Sequence, residues 1–578
     1  MKRRYLLLAA VAATSIAACR MGDQPQNQTA DASPAPASTD WAKFMNDYIE
    51  LTFKANPPFA ATSGRHEFDG QLPDWSEAGL KNEVTRLKAA IAAAEKFDPA
   101  KLSENERFER AYLIAQAKGA LFFVDSADQA HKNPAYYNGS LDPSTYVVVP
   151  YAAPEVRIKA YTRYLQAIPA AVQHIRENLR RPLPVSFVDY GKSAFGGYAD
   201  YYPADGLKAF AGVGSAQEQD ALKTASTNAA TAMRSLADWL EQQRPTANND
   251  FALGAAKFQQ MLYDTEMVDT PIAQLEQIGR ADLESNLKQL TEACGRWAAG
   301  MTIMQCMDKM NSNKPAGGAV AAARAQLAGL KQFIQDKDLV TIPGTEEAKV
   351  EEAPAFNRQN FAYINIPGPY EKGLPSVYYI APPDPTWSKE VRDGFVPGKA
   401  DLLFTSVHEV WPGHFLNFLH SNRSPFTFGK VFVGYAFAEG WAHYGEEMMR
   451  VAGVGGGTDE VMIGQLSNAL LRNCRFLSAI GMHTGRMTQE QSYQLFREKC
   501  FQDEGNARQQ AARGSYDPAY LNYTMGKLMI RKLRDDWTAS RGGRDAWKAF
   551  HDKFLSYGGP PIPLVRQQMM GGDAKAVF

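Results

Sequence analysis

No excess of either charge marks this sequence: 62 Lys+Arg stand against 63 Asp+Glu, for a formal net charge of −1. Without a basic excess the chain has nothing with which to track a phosphate backbone, so a nucleic-acid partner is excluded. Past the N-terminus there is no unbroken run of about 18 apolar residues, so no membrane-spanning helix is expected. Cysteines number only five and none shows C-x-x-C spacing, which argues against a cysteine zinc site. No repeat of roughly 20–50 residues and no Pro/Ser-rich linker after residue 40 interrupts the chain, so one large domain is expected rather than several. What is present, 45% hydrophobic, 11% aromatic and 22% charged residues, is the composition of a globular protein with a deep core.

Residues 1–18 carry a basic start (Lys2, Arg3, Arg4), an apolar run and small residues before Cys19, the make-up of an export signal. Ile16-Ala17-Ala18-Cys19 resembles the bacterial lipobox, in which the cysteine is acylated and becomes the new N-terminus. A lipid anchor at Cys19 would be the protein's contact with a membrane. Arg20, where an aspartate would hold a lipoprotein back, resembles those that move on to the outer membrane. Residues 19–40 are polar and proline-dotted, a flexible tether, and the folded part is expected over 41–578. Export to an oxidising compartment leaves four cysteines to pair. The near-neighbour pairing, Cys294 with Cys306 and Cys474 with Cys500, is the expectation among three possible ones, with free buried thiols as the alternative.

Helical signals dominate the mature region. Ser103 and Glu106 form a capping box ahead of Phe108, Ala111 and Ala115. Ile158, Tyr161, Leu165, Ile168 and Val172 form a second apolar stripe, with a kink expected at Pro169, and Val320, Ala323, Leu327, Leu330 and Ile334 a third. Strand-like stretches are few. The clearest, 361–366 and 377–380, predict a small β-hairpin. The fold class is therefore mainly α.

The chemistry concentrates between Leu402 and Arg450. His408-Glu409-Val410-Trp411-Pro412-Gly413-His414 is followed by Glu439-Gly440-Trp441-Ala442-His443-Tyr444-Gly445-Glu446. In the zinc peptidase motif H-E-x-x-H two histidines four apart share a helix face, with the glutamate as general base and a third ligand from a later helix. Here the second histidine is six residues on. At about 100° per residue it would point roughly 120° away on a regular helix, so the helix must break, and Pro412-Gly413 supplies the break. The set predicts His408, His414 and Glu439 as ligands of one divalent ion, zinc first among candidates, with Glu409 as the base that activates water. Glu446, two turns after Glu439, is placed to orient a ligand histidine. His443, one turn after Glu439, is either such a neighbour or an alternative ligand, and His420 is a second alternative. His66, His131, His174, His483 and His551 have no comparable company and read as ordinary surface or core residues.

These two segments are similar to the H-E-x-x-P-G-H and E-G-W-A-x-Y-x-E patterns of the domain-of-unknown-function family 885, bacterial proteins often exported as lipoproteins. The resemblance extends to 61–64, 377–379 with Pro382, 522–527 and 550–553, so it spans nearly the whole mature chain. It implies a helical fold like those of thimet oligopeptidase and thermostable carboxypeptidase, with a metal at the floor of a deep channel. It also implies a tyrosine opposite the metal to stabilise an oxyanion, for which Tyr523 is the candidate. Arg513 is the candidate for holding a substrate carboxylate, and Tyr378 and Tyr379 on the hairpin for lining the cleft. The expected activity is hydrolysis of short peptides by a carboxypeptidase, dipeptidase or oligopeptidase. The alternatives are hydrolysis of a non-peptide amide or ester by the same site, and a peptide-binding lipoprotein without catalysis.

Overall fold

Polar N-caps and apolar stripes turn most of the chain into helix. In the computed structural model the described residues are 39–354, 358, 361–383, 385–386, 388–571 and 576–578. The export signal, Cys19 and nearly all of the tether lie outside them. Ala37–Phe578 forms one compact unit, and no helix among the described residues is long and apolar enough to cross a membrane.

Local signals act where the chemistry requires. Ser103 Oγ accepts from Glu106 N–H while Glu106 Oε2 accepts from Ser103 N–H at 2.8 Å, starting the helix Glu104–Leu121; such a cap contributes about 1 kcal/mol. The second stripe buries Ile158, Tyr161, Leu165, Ile168 and Val172 on the helix Pro154–Asn178. That helix carries Pro169 in its interior. Pro169 lies on the exposed face, where water can satisfy the carbonyl that loses its partner. The third stripe lies on Gly318–Asp336.

The expected hairpin is part of a three-stranded sheet in the order β1 (Ala348–Glu352), β3 (Ser376–Ile380), β2 (Ala362–Asn365). β2 and β3 pair antiparallel, whereas β1 runs parallel to β3, with Val350 opposite Tyr378. The additional strand corrects the two-stranded expectation. β1 reads Ala-Lys-Val-Glu-Glu with only Val350 buried, so it shows no apolar run for a pattern to detect. Strand alternation sends neighbouring side chains of β3 to opposite faces: Tyr378 and Ile380 join the main core, while Tyr379 joins a small cluster with Ala353 and Ala381. Disulfides join Cys294 to Cys306 and Cys474 to Cys500, tying successive helices together.

Candidate metal centre

The helix Lys399–Glu409 stops one residue after His408, and the next helix, His414–Ser421, begins at the second histidine. Between them lie a cis Trp411–Pro412 peptide and Gly413. A Cβ on Gly413 would sit 1.7 Å from His408 O, so only glycine lets the chain fold back over the turn it has just left. The result places the two imidazoles with ring centroids 4.8 Å apart and nearly perpendicular.

Glu439 comes from the helix Tyr435–Val451. Trp441 on that helix donates its Nε1–H to Pro412 O at 2.7 Å, fastening the helix to the break. Its other side meets the helix Asn522–Thr538 backbone to backbone, because a Cβ on Gly440 would lie 2.5 Å from Gly526 Cα. Glu439 Oε2 is then 3.2 Å from His408 Nε2 and 3.4 Å from His414 Nε2, and one candidate ligand atom from each residue lies within 4.8 Å of the others. Glu439 Oε2 is buried yet has no hydrogen-bond partner. A buried carboxylate oxygen left unpartnered is costly, and one facing two imidazole nitrogens is the donor set of a transition-metal ion. The trio therefore fits a divalent cation. His414 and Glu439 side chains keep 14% and 19% exposure, which leaves the trio open to solvent on one side.

The surroundings fix the tautomer. His408 Nδ1 donates to Glu446 Oε1 at 2.8 Å, which leaves Nε2 as the lone-pair nitrogen facing Glu439. Glu446 is fully buried and is neutralised by Arg472, whose Nη2 is 3.0 Å from the same oxygen. Burial would raise the Glu446 pKa, but Arg472 and the two histidines, His408 and His443, hold it well below the carboxylate range. Burial and Arg472 would lower the His408 pKa, yet Glu439 and Glu446 outweigh them and it is raised to about 9. Protons and metal thus compete for the same lone pair.

The alternative ligands are elsewhere. His443 is fully buried with Nδ1 3.5 Å from Glu446 Oε2, no hydrogen bond at either ring nitrogen, and a pKa lowered to about 4, chiefly by burial. It lies beside Glu446 and outside the trio. His420 donates Nε2–H to Thr341 O at 2.8 Å. Of the five histidines set aside, His551 and His483 are buried: His551 lies between Tyr444 OH and Leu339 O, and His483 bonds Gly514 O. Glu409 is 9% exposed, and its carboxylate makes no hydrogen bond or ion pair among the described residues. Tyr378 lies near it: burial, and after it the charge of Glu409, push the Tyr378 phenol well up. Neither tyrosine lines an open cleft as expected: Tyr378 is fully buried in the main core, and the strand turns Tyr379 against Tyr363 on the opposite face.

Tyr523, 8% exposed, has its ring stacked 6.3 Å from the His408 ring. Burial first, and Glu439 next, raise its pKa against Arg513 and Arg475, and a third arginine, Arg472, also lies over its ring. Two of these, Arg472 and Arg475, escaped the sequence reading. Their signal was two guanidiniums three residues apart inside the apolar stretch Leu470–Leu477. Arg513, the expected carboxylate holder, already pairs with Asp517 Oδ2 at 2.9 Å and donates to Tyr435 OH at 3.0 Å, so its charge is taken.

A family model described as "Bacterial protein of unknown function (DUF885)" matches residues 57–569. No curated protein matches the chain. Among solved structures, a candidate lipoprotein of unknown function from Shewanella oneidensis is 25% identical, covers 92% of this chain and all of its own length, and superposes with a TM-score of 0.76. A candidate lipoprotein from Colwellia psychrerythraea, 17% identical, covers 91% of this chain and 97% of its own, with a TM-score of 0.77. Both share the fold, and both belong by description to the class that the lipobox at Cys19 suggests.

Proposed function

The chain belongs to the DUF885 family of bacterial proteins of unknown function, and from its site we propose that it is a metal-dependent hydrolase of peptide bonds in short peptides. One observation carries the reading: Glu439 Oε2, buried and unpartnered, faces the Nε2 atoms of His408 and His414. Those three residues would hold the ion, with zinc favoured by two imidazoles and one carboxylate. Zinc in that position supplies a Lewis acid for a carbonyl and a water acidic enough to ionise near pH 7.

The protein's own groups divide the remaining work. Glu409 adjoins a ligand, reaches solvent and has no partner to give up, so it can take the proton of the attacking water and pass it to the leaving amine. Tyr523, kept protonated by its raised pKa, can donate to the oxygen on which negative charge develops. Glu446, balanced by Arg472, keeps His408 in one tautomer and one orientation. Tyr378, fully buried next to Glu409, backs that residue and is closed to substrate. A peptide-binding protein without catalysis would have no use for an unpaired carboxylate next to a ligand. The lipobox and the descriptions of the two solved relatives support an envelope lipoprotein anchored through Cys19, and Arg20 favours the outer membrane.

Elemental analysis of the mature protein tests the centre. We expect about one zinc per chain in the wild type, lost in His408→Ala, His414→Ala and Glu439→Ala, and retained in Glu409→Gln. The last variant should lose about a thousandfold or more in kcat on a peptide library, about 4 kcal/mol of transition-state stabilisation. Absence of metal after reconstitution with zinc would overturn the reading, as would activity that survives Glu409→Gln.

A further inference from the structure

The arginines around Tyr523 are not equivalent. Arg472 is paired with Glu446 and Arg513 with Asp517. Arg475 is 8% exposed and sits 4.8 Å above the Tyr523 ring, nearer than either of the others, yet no carboxylate pairs with it among the described residues. Its single hydrogen bond runs from Nε to Gln510 Oε1 at 2.8 Å. Gln510, 4% exposed, is itself held by Asn506 and Gln509. A neutral amide therefore orients the guanidinium through its Nε and leaves the two terminal nitrogens, the prongs that grip a carboxylate bidentately, without a protein partner. Burying a cation this far with no counter-charge is unfavourable unless something else supplies the anion. The lowering of its pKa by burial, by Arg513 and by Arg472 agrees with that imbalance.

The placement says where the anion would come from. Tyr523 neighbours both the His408 ring, 6.3 Å away, and the Arg475 guanidinium, 4.8 Å away. The guanidinium is thus within about 11 Å of the His408 ring; with about 3–4 Å taken up at each end by the ion and by the bidentate pair, one or two extended residues at about 3.5 Å each cover the rest. We infer that Arg475 binds the terminal carboxylate of the substrate, which makes the substrates short peptides or acyl amino acids that end in a free carboxylate one or two residues beyond the scissile bond. This rests on the hydrolase reading, which it narrows to release of C-terminal residues.

Binding without turnover tests it. Zinc-treated Glu409→Gln protein is dialysed against a library of N-acetyl dipeptides and, in parallel, the same library as C-terminal amides, with retention read by mass spectrometry. The free acids should be retained at least tenfold more tightly than the amides. Adding Arg475→Gln should bring that preference to within about twofold and leave the amides unchanged, whereas Arg513→Gln should preserve it. If Arg475→Gln fails to fold by circular dichroism, Arg475→Lys decides: it keeps the charge, lacks the planar fork, and should lose most of the preference. Equal retention of acids and amides, a preference that survives Arg475→Gln or Arg475→Lys, or no retention of the acids at millimolar concentration each overturns the inference. Failure of the hydrolase reading appears separately, as absence of turnover by the wild type on both libraries.

Discussion

Two buried polar clusters lie along the same pair of helices, Tyr435–Val451 and Asn522–Thr538, and only one of them is balanced. In the first, Asp282 Oδ2 accepts from Lys527 Nζ at 2.7 Å and from Asn473 Nδ2 at 2.8 Å, its Oδ1 is 3.4 Å from Arg531, and Glu447 lies against the same two cations. Two acids meet two bases, with amides filling remaining positions. In the second, Glu439 meets two imidazole nitrogens and nothing that must donate. Burial is similar, since Lys527 and Asp282 side chains are 1% and 4% exposed and that of His408 is 7%. The difference is that the first cluster sets acids against Lys and Arg cations, whereas the second sets its carboxylate against imidazoles alone, which is the gap that the proposed cation would fill. A self-sufficient cluster reads as scaffold and an insufficient one as a site.

The strongest way to break the contrast is to unbalance the scaffold. Lys527→Met leaves Asp282 and Glu447 with Arg531 alone and should cost about 3–5 kcal/mol in chemical unfolding; a loss below about 1 kcal/mol would mean the network does not hold the helices. Asp282 also sets an acid-side dependence. Burial would raise its pKa, but Lys527 and Arg531 hold it well below the ordinary 3.8, so its contribution is full above that value and is lost as pH falls further. Next in size, Glu446→Gln keeps an acceptor for His408 but removes the charge. It should weaken zinc about 10–100-fold in competition with a chromophoric chelator. Glu266 sharpens the comparison from a third position, because it is buried with no cation among its partners in the described residues and its pKa is raised to about 8, first by burial. The folded state binds that proton more tightly than the unfolded state, so stability declines as pH rises from the ordinary 4.5 to about 8. Glu266→Gln should flatten the decline and add about 1–2 kcal/mol at pH 8, measured by unfolding at pH 5 and pH 8. The smallest effect is expected in the trio once its protons are gone: in chelator-treated protein at about pH 10, above the raised His408 pKa, Glu439→Gln should change unfolding by less than about 1 kcal/mol, because no charged imidazole then pairs the carboxylate.

Sequence separation governs how much of this could be read in advance. His408, Glu409, His414, Glu439 and Glu446 all fall within 39 residues, on helices whose periodicity fixes which positions share a face, and the proline–glycine break is a local event. The helical class followed from stripes and caps in the same way. Arg475 is hidden in the sequence because its lack of a counter-charge is a fact about what surrounds it, whereas Arg513 has its partner one turn on, at Asp517. Tyr378 and Tyr379 are adjacent letters on opposite faces, and which one turns toward Glu409 depends on the register with β1, a strand with almost no apolar signature. The Asp282 to Lys527 pair spans 245 residues and has no local trace at all.

The contact of Gly440 with Gly526 has a mechanical consequence. Main chain touches main chain there, with no side chain between to act as a cushion, so the helices that carry Glu439 and Tyr523 form one rigid jaw and keep their spacing as the protein breathes. On the proposed hydrolase reading, any widening for a substrate would have to come from the other side, where Glu409 is backed by Tyr378 on the three-stranded sheet. Stiffness in this molecule thus belongs to the side that carries Glu439 and Tyr523.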